Sequence, residues 1–474
     1  MKSTSLSTIV NRIKEEVQAC KAYLPIERTI QRILGSRTTW PALKIGDLVA
    51  PTPIVQGGMG VGISLSSLAG AVANNGGIGV IAANGIGLLE PDYYEDGQAA
   101  NLRAFRREIR KARQLSSGAI GVNIMVAVND FHQLLDVAIE EKVDIVFMGA
   151  GLPIKNMPVE ALRKANVKVA PIVSSARAVD MIFRMWTKLY NDMPDAVVFE
   201  GPKAGGHLGF SEEQLEDPAF QLEAIVPRIV EALKPFEESK GCKIPLIAGG
   251  GVYSGRDVYK VLSLGASAVQ MATRFVATDE CDADRRFKEA YVNCTKEQIG
   301  LIKSPVGMPG RAIRNTFITD SEQGKRPSFK CAWKCLSSCK AQEANYCISI
   351  ALNNARRGLL QSGFVFVGTN GYRVKKIVPV QSLVAELERG YQSAVRVNLE
   401  RVLAKLSTLK AEYAKAENQV KDLAKRYEEA LLAFPLKSEM VQAIRTQYNR
   451  AALQVENLKL KMTETLATTS LLIS

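Results

Sequence analysis

Between residues 50 and 275 the apolar positions fall in short unbroken runs: Pro53–Gln56, Ile78–Ile81, Ala119–Ile124, Val143–Met148, Val167–Val173, Asp195–Glu200, Ile244–Ala248 and Ala266–Met271. Helix-length stretches separate them. Continuous apolar runs alternating with helices mark parallel strands covered on both faces. Eight such β/α units over about 225 residues predict an α/β fold of the (β/α)8 TIM-barrel type, for which about 250 residues is typical. A doubly wound open sheet is the alternative. In both architectures the loops after the carboxyl ends of the strands carry the chemistry.

The pattern changes near the C-terminus. Leu399, Val402, Leu406, Leu409, Tyr413, Ala416, Val420, Leu423, Tyr427, Ala430 and Phe434 are spaced alternately by three and four. That is the heptad seam of a coiled coil. Pro435 ends it, because proline cannot continue a helix. A second seam follows at Met440, Ile444, Tyr448, Ala451, Val455, Leu458 and Met462. Two seams joined by a short turn predict an antiparallel helical hairpin. The first helix would span on the order of 50 Å, long for a helix lying on a barrel. It therefore reads as a projecting arm that joins a second copy or a complex; two helices packed on the parent domain is the plainer reading. The expected organisation is an N-terminal helical extension over 1–45, the barrel over 46–280, an appended cysteine-containing segment over 281–395 and the hairpin over 396–474.

Composition narrows the classes. With 47% hydrophobic and 23% charged residues, the chain is that of an ordinary globular protein. No apolar run reaches the roughly 20 residues that span a bilayer. The N-terminal segment lacks the apolar core of a secretory signal, so a cytoplasmic location is expected. The net charge of +13 is dispersed rather than gathered in basic tracts, which argues against nucleic acid as partner. It favours anions: a phosphorylated cofactor, a carboxylate, or an acidic carrier protein.

Candidate chemistry sits just after the predicted strands. Gln56–Gly62 is a glycine-rich loop after the first. Asn123 ends the third. Gly201–Gly209 follows the sixth and carries His207, one of two histidines in the chain. Gly249, Gly250 and Gly251 follow the seventh, and Ala272, Thr273 and Arg274 the eighth. Loops after strands seven and eight of such barrels frequently bind phosphate. Glycine admits the backbone to a flat or phosphorylated ligand, and an imidazole beside it can exchange protons near neutral pH. Any one loop alone is weak; their recurrence at the same end of successive strands carries the reading. His132 opens a helical stretch and is assigned no role.

Together Gln56–Gly60, Gly121–Met125, Glu200–Gly209, Ala248–Gly251 and Val269–Phe275 resemble the nitronate monooxygenase (2-nitropropane dioxygenase) family and the related FMN-dependent enoyl-acyl-carrier-protein reductases, over roughly residues 45–310. The resemblance implies a TIM barrel holding FMN. Its phosphate would be gripped by Gly250, Gly251, Ala272 and Thr273. Met59, Gly60, Asn123, Glu200 and Ser174 or Ser175 would lie along the ring and ribityl chain. Gly58, Gly205, Gly206, Gly249, Gln270 and Met271 complete the implied cofactor-binding set, and His207 is the implied catalytic residue. The implied reaction oxidises a nitronate with O2 to a carbonyl and nitrite. The alternatives are NAD(P)H-dependent reduction of an enoyl thioester and a flavin-binding scaffold assembled through the hairpin. A barrel of the inosine-monophosphate dehydrogenase type would need a catalytic cysteine where this chain has His207.

Cys331, Cys335, Cys339 and Cys347 form the one local cysteine cluster. On a helix Cys331 and Cys339 would stand about 12 Å apart, too far for one zinc. A zinc or Fe–S site by these four therefore requires a non-helical segment; reduced structural thiols are the other reading.

Overall fold

The computed structural model describes residues 40–470 apart from 326–328, 330, 332, 338, 436 and 437. Most of the expected N-terminal extension, and Cys20 with it, lies outside the described residues. The chain divides into two compact units that part at Tyr391 and Gln392.

In the larger unit, β1 (Leu43–Ile45) and β2 (Leu48–Ala50) form an antiparallel hairpin. The barrel strands are β3 (Ile54–Gln56), β4 (Gly79–Ala82), β5 (Ile120–Met125), β6 (Ile145–Gly149), β7 (Lys168–Val173), β8 (Val197–Glu200), β10 (Leu246–Gly249) and β11 (Ala268–Met271). A two-residue strand, β9 (Gly206–His207), lies outside the barrel. All eight predicted runs thus became parallel strands, in the order β3-β11-β10-β8-β7-β6-β5-β4. Ile78 closes the ring by a parallel bridge to Val55, with Gln56 N–H donating to Ile78 O and Ile78 N–H to Ile54 O, each at 3.0 Å. The buried Gln56 carboxamide locks the same seam, its Oε1 accepting from Val80 N–H at 2.9 Å. A closed barrel, not an open sheet, is the result.

Alternate residues of every strand face the lumen. Val55, Val80, Ile145, Phe147, Ala170, Val198, Ile247 and Ala268 form one buried cluster there, and Leu43, Ile45 and Ala50 of the β1–β2 hairpin join it. The hairpin plugs one end. The outer layer comprises α1 (Ser66–Asn74), α2 (Gly97–Leu115), α3 (Phe131–Glu140), α4 (Val159–Lys164), α5 (Ala176–Tyr190), α6 (Glu212–Glu216), α7 (Leu222–Lys240), α8 (Gly255–Ser263) and α9 (Thr273–Val276). Side-chain oxygens of Asp96, Ser175 and Ser254 cap α2, α5 and α8, satisfying N–H groups that a helix start leaves unpaired.

After the barrel come α10 (Arg285–Asn293), β12 (Ile299–Lys303), β13 (Pro309–Ile313), α11 (Thr316–Glu322), α12 (Ile348–Arg356) and β14 (Val365–Phe366). β13 is the hub. It pairs antiparallel with β12, β14 and β9, and so brings this segment onto the loop that carries His207.

α13 (Val380–Ala433) begins in the larger unit, where Val380 N–H donates to the Glu280 carboxylate at 2.9 Å. The smaller unit contains the rest of α13 and α14 (Glu439–Ser470). Leu406, Leu409, Ala416, Val420 and Leu423 pack with Ala451, Val455, Leu458 and Met462. Tyr427 and Ala430 pack with Val441 and Ile444 near the turn. The helices are therefore antiparallel and joined along the expected seams. The ends of those seams differ from expectation: Phe434 lies beyond α13 and Met440 at the start of α14, and both are exposed. Val441 takes the buried position instead, because the turn resets the helical phase.

Candidate functional site

Directly above the apolar lumen lies a polar layer. Glu200, Gly249 and Gln270 are Cα partners on β8, β10 and β11, and strand parity points them inward with Val198, Ile247 and Ala268. Asn123, in register with Ala82 and Phe147, projects from the opposite wall. Gly58 abuts the Asn123 side chain, and a Cβ at Gly57 would stand 3.2 Å from Ala272. The Met59 loop is stapled by Ser64, whose Oγ accepts from Met59 N–H at 2.9 Å and donates to Met59 O at 3.2 Å. Ser174 follows β7 and faces Gly209; a Cβ at Gly209 would lie 3.1 Å from the Ser174 Oγ. Thus Gly58, Met59, Gly60, Asn123, Ser174, Glu200, Gly249 and Gln270 surround one end of the barrel.

The tri-glycine loop and the start of α9 form the neighbouring corner. Gly250 has φ +95°, and a Cβ there would lie 2.6 Å from Gly201 O. Only glycine permits both that backbone conformation and that approach. Asn370 Nδ2 donates to Gly251 O at 2.6 Å, Thr273 Oγ1 accepts from Gly368 N–H at 3.2 Å, and the exposed Lys203 runs beside Gly251. A hydroxyl that accepts one bond still has its own proton to donate. The glycine cradle, hydroxyl and ammonium suit a phosphate monoester, and the polar layer beside it suits the edge of a flavin. FMN fits the residues present.

Two residues of these motifs turn their side chains away from the cradle. Parity turns the Met271 side chain to the buried outer layer, and its carbonyl is occupied by Gly57 N–H at 2.8 Å, so Met271 contributes no side chain to the cradle. Arg274 is also turned away: its guanidinium stacks 4.5 Å from the Tyr253 ring centre and donates to both Glu386 carboxylate oxygens at 3.0 and 3.1 Å. Gly205 packs against the Val367–Gly368 backbone, whereas Gly206, at φ +84°, has open space where a Cβ would stand.

His207 occupies β9. Its Nε2 is 2.7 Å from Ser304 Oγ, and its ring meets that of Phe366 in a T-shaped contact, with centroids 5.1 Å apart. Burial lowers its pKa from 6.5 to about 4, so the imidazole is neutral at physiological pH. Burial acts oppositely on Glu200, raising its pKa from 4.5 to about 7. The loop is held from behind by buried Arg311, which donates to Pro202 O and Ala204 O, both at 2.6 Å. Ser304, Arg311 and Phe366 all come from the appended segment and were not singled out in the sequence. The turn-rich stretch Ser304–Gly310 was the available signal.

A nitronate monooxygenase profile matches residues 43–390. The chain belongs to the nitronate monooxygenase family. A relative from Staphylococcus aureus (strain JH9), described as a probable nitronate monooxygenase, is 27% identical over 322 residues, spanning 62% of this chain and 84% of its own. The solved structure of FabK from Thermotoga maritima is 29% identical, with a TM-score of 0.56 over 73% of this chain and 94% of that one. A nitroalkane oxidase from Streptomyces ansochromogenes shares the fold at 23% identity, with a TM-score of 0.56 over 73% of this chain and 96% of its own. The protein is an FMN-dependent oxidoreductase. No helix among the described residues is long and apolar enough to cross a membrane.

The four clustered cysteines line one cavity of about 380 Å³ with Trp333, Leu336 and Tyr346. Among the described residues no group of three or more His, Cys, Asp or Glu side chains is arranged to hold a metal ion.

Proposed function

We propose that this enzyme reduces the double bond of an enoyl thioester with NAD(P)H. The observation that carries this reading is the neutral, Ser304-bound His207 at the barrel mouth. A nitronate is an anion and would gain most from an imidazolium; Arg311, a cation that reaches the same loop, is committed to two backbone carbonyls. A thioester carbonyl is uncharged and needs an oriented hydrogen-bonding group, which a part-buried neutral imidazole provides without titrating near neutral pH. The likeness to FabK, an enoyl-acyl-carrier-protein reductase, supports the same substrate class, and the net charge of +13 suits an acidic carrier.

FMN supplies the hydride-passing chemistry. Gly250, Gly251, Ala272 and Thr273 would hold its phosphate, with Lys203 adding charge. Met59, Gly60, Asn123, Glu200 and Gln270 would border its ring and ribityl chain. Ser304 fixes the His207 ring through Nε2, and Phe366 limits its rotation. His207 would then orient the thioester carbonyl, while a proton from solvent reaches the α-carbon to complete the saturated product.

Nitronate oxidation is the second reading, favoured by the family profile and the Staphylococcus relative. Steady-state assays separate the two. NAD(P)H oxidation that depends on an enoyl thioester supports the reductase. Nitronate-dependent O2 uptake, with no thioester-dependent turnover, overturns it.

A further inference from the structure

We propose that Cys331, Cys335, Cys339 and Cys347 hold an iron–sulfur cluster beside the active-site loop. The described residues between Cys331 and Cys347 form neither helix nor strand beyond a single bridge at Leu336. The segment therefore meets the geometric condition that helical spacing would forbid. All four cysteines line the same cavity of about 380 Å³. Among the described residues no group of three or more His, Cys, Asp or Glu side chains converges on a single ion. One zinc needs every sulfur about 2.3 Å from its centre. A cluster of several irons and bridging sulfides fills a volume and takes its four cysteine ligands around the periphery. Four cysteines around one cavity suit the second kind.

The walls suit an anionic cluster. Cys347 sits at the N-terminus of α12, and its sulfur faces the backbone N–H groups of Ser349 and Ile350. Such N–H donors stabilise and tune cluster sulfurs. Ser349 Oγ lies 3.9 Å from Cys335 Sγ. The loop is also strapped to the barrel mouth. Ser337 N–H donates to Ala127 O at 3.0 Å and Asn129 N–H to Cys335 O at 3.1 Å, with a further bond from the Asn129 amide to Lys334 O. Pro305 and Val306 line the cavity immediately after Ser304, the residue bonded to His207. A cluster here would clip the segment that supplies Ser304.

The test uses the full chain, purified anaerobically and incubated with ferrous iron, sulfide and dithiothreitol before desalting. Iron and acid-labile sulfide should bind in equimolar amounts, at about two to four of each per chain, with broad absorbance beneath the flavin bands that dithionite bleaches. The Cys335→Ala/Cys347→Ala double variant should lose at least 90% of both, while circular dichroism reports a retained fold. Bound zinc without sulfide, no retained metal, or iron and sulfide undiminished in the double variant would each overturn the proposal. The readout is metal and sulfide content, so it is independent of which substrate the flavin serves.

Discussion

Replacing Glu200 by Gln probes the electrostatics of the barrel mouth quantitatively. Burial raises this carboxyl from 4.5 to about 7 in the folded chain. At 1.36 kcal/mol per pKa unit, the shift corresponds to at most about 3 kcal/mol. Glu200 is only partly shielded from water, so the measurable part is about 1–2 kcal/mol after solvent screening. The sign follows from linkage. Below pH 4.5 the group is protonated in both folded and unfolded chains and costs nothing. Between 4.5 and 7 the unfolded chain releases its proton while the folded chain retains it, and stability falls. Above 7 both are ionised and the loss levels off. Glu200→Gln keeps the shape and removes the charge. Urea midpoints of flavin-free wild type and variant, at equal slope, should diverge in the variant's favour from pH 4.5 to 7.5 and run parallel above. A difference independent of pH, or one that grows below pH 4.5, would refute the buried-carboxylate argument.

His207→Ala should retain FMN and lose about 10²–10³-fold in kcat, the usual worth of one oriented hydrogen-bond donor to a developing oxyanion; undiminished turnover would remove the imidazole from the mechanism. Because His207 titrates near 4, its ionisation should leave kcat/KM flat from pH 5.5 to 8, and an acidic limb near 6.5 assigned to His207 by its loss in His207→Ala would contradict the buried, neutral state. Ser304→Ala frees the ring; kcat should fall about 5–50-fold with FMN content unchanged, a range set by one net hydrogen bond plus lost orientation, and an unaltered kcat would mean the contact does not position the imidazole. Gly250→Leu forces a side chain toward Gly201 O at positive φ and should raise the FMN dissociation constant at least tenfold by fluorescence titration; equal affinity would argue against the phosphate corner.

The barrel was legible because each strand is covered on both faces and reads as an apolar run, and because the punctuating glycines fall after the strands. The hairpin was legible in its heptads except where the turn reset the phase at Phe434 and Met440. Individual roles were harder. Gln270 and Met271 are adjacent in the same motif, yet strand parity sends one inward and the other outward, and residue type alone does not set that parity. Arg274 stands beside Thr273 in the same motif, yet its side chain is taken by Glu386, over a hundred residues away. Ser304 and Phe366 were invisible for the same reason: their proximity to His207 depends on β13 pairing with β9 and β14, and antiparallel pairing between distant segments leaves little local trace.

Anaerobic stopped-flow mixing addresses the central claim most directly. The FMN-loaded enzyme should be bleached by NAD(P)H alone and recover its yellow colour when an enoyl thioester is added, yielding the saturated product. Flavin that stays oxidised with either nicotinamide cofactor, yet bleaches on mixing with a nitronate, would contradict the account.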